Sequence, residues 1–525
     1  MRKVEFPCDF KGVKVHFVGI KGTGMSALVE ILLKRGAIIT GSDVSERFYT
    51  DEILERLGVT PLPFSSENIT SDIDFVVYSS AYSPQTNPDL ACAEEKGVPS
   101  FMYSDALGAL SKTAYSCGIC GVHGKTTTAG LTGTLLKATD LPVQVLAGSA
   151  IASFGSGSAD ERKSFSSCVM TNESRSDLGN SNKIKYFVAE TCEYRRHFMA
   201  FSPEKIVLTS VESDHQDFYP SYDDIQKAFV DYACLLPENG QLIFCADDKG
   251  AFQTAQIALE KRKDIKLIPY GTKAQGDYKL SFGQLKNGKH FFNVSLLGEC
   301  AIKVPGNHNV LNACAALALC VELLKTDGKN PEQYYKKLKS ALLDFAGGKR
   351  RSEVKAEMKT PLNQDVIFID DYAHHPTAIK TTLSGYKDFY KGRKIIVDFM
   401  SHTYTRTQSL LEDFARSFDC ADKLIMNKIY ASARETESNE NHVSGKILAE
   451  LTKKYHSDTV YAEDFDEAAR IGLEYLCEPS GEKYPEGYLF VTMGAGNNQK
   501  VGEKIIAQLK TKSEAANEQH DRLRF

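Results

Sequence analysis

The chain has 525 residues, which at roughly 150 residues per domain predicts about three domains and excludes a single small module. Hydrophobic residues at 42%, aromatics at 10% and charged residues at 25% exclude a disordered chain. Lys+Arg 63 against Asp+Glu 68, a net charge of −5, excludes nucleic-acid binding driven by general phosphate neutralisation and leaves room for a local anion site.

The first ten residues carry positive charge with no apolar core behind it. No run approaches the roughly 18 apolar residues of a membrane span, so neither a secretory leader nor membrane insertion is expected. Lys14 to Ile20 is a β-branched and aromatic run that predicts a strand. It enters the loop Gly19-Ile-Lys21-Gly22-Thr23-Gly24-Met25-Ser26, and apolar residues then recur at helical spacing until Gly36. A dinucleotide fingerprint needs glycine where Lys21 stands, which disfavours NAD. The strand, loop and helix N-terminus still form an anion site of free amides, and Lys21 is expected to place its ammonium near a bound pyrophosphate. Strands at Ala37 to Thr40, before Gly41-Ser42-Asp43, and at Asp74 to Tyr78 complete a parallel βαβ unit over residues 1–112.

A second strand, Tyr115 to Cys120, enters Gly121-Val-His123-Gly124-Lys125-Thr126-Thr127-Thr128, with a helix predicted from Thr126 to Lys137. The loop departs from G-x-x-x-x-G-K-[ST] at Ile119 but keeps Gly-Lys-Thr at the junction of strand and helix. Backbone amides there cradle phosphates, Lys125 meets the outer phosphate oxygens, and a threonine hydroxyl can serve Mg²⁺. Strands at Lys185 to Ala189, Lys205 to Val211 and Gln241 to Cys245 follow. Glu190-Thr-Cys-Glu193 and Glu212-Ser-Asp214-His215 close two of them, at the carboxyl ends where parallel sheets bind ligands. The polar stretch from Ser153 to Asn182 lacks periodicity and reads as a surface excursion. Cys117-Gly-Ile-Cys120 lies within a strand, which argues against a redox or zinc pair. The thirteen cysteines, mostly in apolar runs, predict reduced thiols in the cytoplasm.

After Phe345-Ala-Gly-Gly-Lys-Arg-Arg351 the pattern restarts, with strands at Val366 to Ile369, Lys394 to Val397, Lys423 to Met426 and Tyr488 to Met493. An amphipathic stretch, Ser409 to Phe418, lies among them, and the tail from Lys510 reads as a fraying helix end. Three α/β units are thus expected, over 1–112, 113–344 and 345–525.

Taken together, the two glycine-rich loops, Glu190, Asp214-His215, Pro305-Gly-Asn-His308-Asn309-Val-Leu-Asn312, Lys349-Arg350-Arg351, Asp370-Asp371-Tyr-Ala-His374-His375-Pro376 and Ser401-His402-Thr-Tyr404-Thr-Arg406-Thr resemble the Mur ligases, in the family's order from residue 19 to about 500. The His-His-Pro and His-Thr-Tyr-Thr-Arg-Thr segments point to the branch that adds alanine. The resemblance implies an N-terminal Rossmann-like domain, a central P-loop ATPase-like α/β domain and a C-terminal Rossmann-like domain. It implies an ATP- and Mg²⁺-dependent ligase that joins L-alanine to the lactyl carboxylate of UDP-N-acetylmuramate through an acyl phosphate; addition of a whole peptide, as in cell-wall recycling, is the alternative.

By similarity, Gly19, Lys21, Gly22, Thr23, Gly24, Met25, Ser26, Asp43, Ser79 and Ser80 would face the UDP end of the substrate. Gly121, His123, Gly124, Lys125, Thr126, Thr127, His308, Asn309, Asn312, Arg351 and Asp371 would bind ATP, with Thr126, Glu190 and His215 serving the metal. Lys125, Glu190, His215, Arg351 and His374 would carry the chemistry, and His374, His402 and Arg406 would meet the amino acid or the muramyl carboxylate. The departures are Lys21 for a family glycine, Ser210 where asparagine is common, and Asn497 where aspartate is usual. Some relatives use a carbamylated lysine at the metal; the spacing of Lys227 from His215 does not match it.

Overall fold

The structure, a computed structural model, describes residues 6–7, 9–155, 165–171, 185–431 and 443–522. Its first sheet has four parallel strands in the order Ile38–Ser42, Lys14–Val18, Phe75–Tyr78, Ser100–Met102. Lys14–Val18 is buried along nearly its whole length, as a strand covered on both faces must be, and so reads as a continuous apolar run. It stops short of the predicted Ile20 because Gly19 turns the chain at φ +80°, and a Cβ there would lie 2.7 Å from the Tyr82 ring.

The second sheet runs Lys266–Tyr270, Gln241–Cys245, Lys205–Leu208, Tyr115–Cys120, Tyr186–Glu190, Val143–Ile151, Ser166–Met170, parallel except for the last pair. Helices Lys125–Leu136 and Asn307–Thr326 pack on each other beside it. Asn307–Thr326 is long and apolar enough to cross a membrane, which the reading of apolar runs passed over, yet 83% of its apolar window is buried inside the protein. It is a core helix. A small antiparallel sheet of Leu280–Lys286, Lys289–Val294 and Gly298–Ile302 leads into its N-terminus.

The third sheet runs Glu353–Lys359, Asp365–Asp371, Tyr488–Gly494, Lys394–Met400, Lys423–Met426, Thr459–Tyr461, with only Glu353–Lys359 antiparallel to its neighbour. One continuous apolar core runs through the first two units as far as Phe345. The third unit has separate cores, built from residues after it. Polar contacts across the joint include Arg406 with Asp214 and Thr377 with Glu212, and Gly385 packs closely on Gly306 beside them.

Two expectations need correction. The polar excursion contains the strand Ser166–Met170, whose Ser166 hydroxyl and Ser167 amide both donate to the buried Glu30 carboxylate of helix Thr23–Lys34; residues 156–164 and 172–182 of that stretch lie outside the described residues. The amphipathic run at 409–418 is broken at Leu410 into Tyr404–Ser409 and Leu411–Ala415. The C-terminal tail continues a helix, Gln499–Arg522. All twelve cysteines among the described residues are free, and burial pushes the Cys117 thiol up to about 12.

Candidate active site

Tyr115–Cys120 sits between Lys205–Leu208 and Tyr186–Glu190, so the Gly121–Gly124 loop and the ends of both neighbours converge. Gly121 has φ +133°, and a Cβ would fall 2.1 Å from the Thr209 hydroxyl. Gly124 caps the helix at φ +81°, with the Asn312 carbonyl oxygen 2.5 Å from where a Cβ would stand. Only glycine fits either place. The His123 amide donates to Ser210 Oγ at 2.9 Å, so the serine that stands in place of asparagine anchors the loop.

Lys125 does not float free. Its ammonium donates to the Gly121 and Val122 carbonyls and meets the Glu193 carboxylate at 2.9 and 3.0 Å. On the other side of Glu193, His215 Nε2 lies 3.3 Å from Oε1. Burial alone would raise the Glu193 carboxyl, but Lys125 and His215 draw it down to about 2. Burial also opposes the Lys125 charge, and Glu193 outweighs it and raises the ammonium's pKa. Glu193 was visible in sequence only as the second acid of Glu190-Thr-Cys-Glu193; the structure makes it the shared partner of two expected catalytic groups.

Thr126 Oγ1 donates to Glu190 Oε1 at 3.2 Å, and Glu190 Oε2 accepts from the Gly148 amide at 2.7 Å. The expected metal set thus divides: Thr126 and Glu190 are paired, while His215 faces Glu193. Lys227 pairs with Asp231 at 2.7 Å on an exposed helix face.

A cavity of about 490 Å³ opens over the loop, lined by His123 to Thr127, Glu190, His308, Asn309, Asn312, Arg351, Asp371 and His374. His308 stands at the N-terminus of the core helix, and burial lowers its pKa to about 4. Asn309 Nδ2 donates to the Pro305 carbonyl and Asn312 Nδ2 to Asn309 Oδ1. The Arg351 guanidinium lies over the Tyr372 ring at 5.1 Å. Both oxygens of Asp371 are engaged locally, by the Ser352 and Ala373 amides, so it shapes the turn that carries Arg351.

On the third unit, His374 Nδ1 lies 2.8 Å from the Tyr372 carbonyl. That contact places the ring proton on Nδ1 and the lone pair on Nε2. Burial, reinforced by Arg406 and His402, pushes its pKa well below the usual value. The His374 and His402 rings stand 5.8 Å apart edge to face, so the three expected amino-acid residues do come together. Arg406, however, is occupied: Nε and Nη2 donate to Asp214 Oδ1 at 3.0 and 2.8 Å, and Nη1 to His402 Nδ1 at 3.1 Å. Asp214, an unassigned neighbour of His215 in sequence, is buried; burial would raise its carboxyl, and Arg406 with the nearby histidines holds it far below the usual range.

In the first unit, Gly19 to Ser26, Asp43, Ser79 and Ser80 gather at the carboxyl ends of three adjacent strands, where strand order reverses. Asp43 accepts from the Lys21 and Val44 amides, and Thr23 accepts from Tyr49. The Lys21 ammonium is engaged within the first unit. The side chain is 7% exposed and its ammonium reaches the Val44 and Glu46 carbonyls at 2.9 Å and Asp51 at 3.1 Å. A second cavity, of about 200 Å³, lies between this unit and the middle one, lined by Gly24, Tyr103, Gly148, His197, Glu190 and Cys192. Glu190 and Cys192 line both cavities.

Three family models match: Mur ligase family, catalytic domain, at residues 14–115; Mur ligase middle domain at 119–320; and Mur ligase, glutamate ligase domain, at 350–496. A protein of Treponema pallidum (strain Nichols) named UDP-N-acetylmuramate--L-alanine ligase is 46% identical over 513 residues, 97% of this chain and 99% of that one. Among solved structures, a UDP-N-acetylmuramate-alanine ligase from Thermotoga maritima superposes with a TM-score of 0.71 at 22% identity, covering 95% of this chain and 99% of its own. A murein peptide ligase from Psychrobacter arcticus gives 0.62 at 20%, with the same coverage. At these identities the two superpositions are likenesses of fold.

Proposed function

The chain belongs to the Mur ligase family, and from that membership we propose that it joins L-alanine to the lactyl carboxylate of UDP-N-acetylmuramate with hydrolysis of ATP to ADP and phosphate. The observation that carries this reading is the meeting of two cavities at Glu190, one over the phosphate loop and one facing the first unit. A sugar nucleotide held by the first unit and a nucleotide triphosphate held by the second would present carboxylate and γ-phosphate to each other there. The high-identity relatives carry the alanine ligase name, whereas the peptide ligase likeness is one of fold alone.

Amide formation at neutral pH requires the carboxylate oxygen to become a leaving group. The lactyl carboxylate attacks the γ-phosphorus, the bond to the bridging oxygen breaks, and ADP leaves. Lys125, held charged by Glu193, offsets the charge on the transferring group, which is a task of positioning and electrostatics. Thr126 Oγ1 and the Glu190 carboxylate, 3.2 Å apart, are hard oxygen donors suited to Mg²⁺. Bound there, Mg²⁺ would supply charge neutralisation. The alanine nitrogen then attacks the acyl carbon, and inorganic phosphate leaves.

The amine must lose a proton, and the geometry favours His374 over His215 as acceptor. His374 has its Nε2 lone pair unspent and is kept neutral by its surroundings, whereas His215 Nε2 is turned to the Glu193 carboxylate. Domain limits at 1–112, 113–344 and 345–525, and a cytoplasmic location with reduced thiols, belong to the same reading. Phosphate release measured with ATP, UDP-N-acetylmuramate and single amino acids tests it: L-alanine should support turnover, glycine and serine slow turnover, since one methylene is worth only about 1–3 kcal/mol. Equal turnover with a tripeptide would refute the alanine assignment.

A further inference from the structure

His123, Glu212 and His375 come from three distant parts of the chain. His123 belongs to the phosphate loop, Glu212 follows the strand Lys205–Leu208, and His375 caps helix Pro376–Phe389 of the third unit. One ligand atom from each lies within 4.8 Å of the other two. His123 Nε2 contacts Glu212 Oε1, and His375 Nδ1 lies 3.6 Å from the same oxygen. The two rings stand 5.1 Å apart, tilted by 50°. Neither His123 Nε2 nor Glu212 Oε1 makes a well-directed hydrogen bond, although both atoms are buried; His375, 5% exposed, has an unpartnered Nε2, while its Nδ1 accepts from the Thr377 amide at 3.4 Å. The other Glu212 oxygen accepts from the Thr377 hydroxyl at 3.0 Å, so the carboxylate is already oriented from outside the cluster.

We propose that His123, Glu212 and His375 form a binding site for a borderline divalent transition ion such as Zn²⁺ or Co²⁺, which would tie the phosphate loop to the third unit. The donor set decides the class of ion. Two imidazole nitrogens and one carboxylate suit Zn²⁺ and Co²⁺, while Mg²⁺ and Ca²⁺ favour oxygen alone. Ligands sharing one ion at about 2.1 Å in tetrahedral geometry lie about 3.4 Å apart, so small side-chain rotations bring all three into range and leave a fourth position for water. Thr377 acts as the outer partner that fixes the carboxylate. The three ligands line the same cavity as Thr126 and Glu190 but are different residues, and occupation of their site would hold the third unit against the second.

Titrating the full-length, nucleotide-free protein with Co²⁺ and following visible d–d absorption tests this. About one equivalent should bind with the intense bands of a four-coordinate site. Glu212→Gln and His375→Gln should each weaken that signal roughly tenfold or more, with far-UV circular dichroism unchanged, while His215→Gln keeps it. Absence of four-coordinate bands, or bands retained in both Glu212→Gln and His375→Gln, overturns the proposal. Should His375→Gln fail to fold, Glu212→Gln alone decides between these outcomes.

Discussion

Lys21 follows a strand end and precedes Gly22-Thr23-Gly24, a setting in which an ammonium beside free amides is expected to meet phosphate. Lys125 stands in a similar setting and lines the cavity over the phosphate loop, while the Lys21 ammonium is taken up by partners of the first unit. Local sequence cannot separate the two, because the difference lies in partners brought by the fold: Asp51 for Lys21 and Glu193 for Lys125. Lys21→Met would leave Asp51 and two carbonyls without their cation in a buried place, a loss of about 3–5 kcal/mol by analogy with other broken buried pairs. Urea unfolding should therefore show a markedly lower midpoint. An unchanged midpoint with a raised KM for the sugar nucleotide would instead put the ammonium on the ligand. Lys125→Met should lower kcat/KM roughly 100-fold or more, the scale of losing one charge-assisted contact to a transferring group. Near-normal turnover in a folded Lys125→Met protein would detach the loop from the chemistry. The loop, Glu190 and the histidine segments were legible because their residue types and spacing are chemical requirements. The roles of Glu193, Asp214 and Glu212 were not, since each depends on a partner contributed by another strand end or another unit.

The strand Ser166–Met170 shows the same limit among elements. Five residues between long polar tracts carry too little periodicity to stand out, and what makes them a strand is an open sheet edge at Val143–Ile151 and a carboxylate waiting across the interface. Central strands such as Tyr115–Cys120 were legible because burial on both faces demands a continuous apolar run. Glu30 is 4% exposed and receives Ser166, Ser167 and Lys34, so it joins the strand to helix Thr23–Lys34. Glu30→Ala should leave the Ser167 amide unpaired and cost about 1–3 kcal/mol. Hydrogen exchange would show this as faster exchange of the amides of 166–170 with the central strands still protected. Uniform acceleration across the seven-stranded sheet would mean that the strand and the core unfold together, and that Glu30 has no local role.

At the scale of the whole molecule, two units sharing one apolar core face a third with cores of its own, and buried histidines and a buried charge pair lie at that joint. His308, His374 and His375 are all pushed toward the neutral form by burial. A histidine with a lowered folded pKa binds fewer protons folded than unfolded, so stability should fall as pH drops below about 6.5 and level off below the folded value. For His308, with its folded value of about 4, the full loss is up to about 3 kcal/mol. Melting temperatures between pH 7.5 and 5 should decline, less steeply in His308→Gln; identical slopes would remove His308 from the account. The joint itself is centred on Arg406, whose fork is taken by Asp214 across the boundary. If Arg406 only held the alanine carboxylate, Asp214→Asn would free the guanidinium and leave the alanine KM unchanged or lower. If the pair closes the third unit over the reactants, Asp214→Asn and Arg406→Ala should each raise that KM, and each should enlarge the radius of gyration seen by small-angle scattering. The double variant should be little worse than the worse single one, because the second change removes a contact already gone. A coupling of about 2–5 kcal/mol is the scale for a buried hydrogen-bonded charge pair. Additive effects in the double variant would show that the two residues act separately, with Arg406 serving the amino acid and Asp214 serving His215.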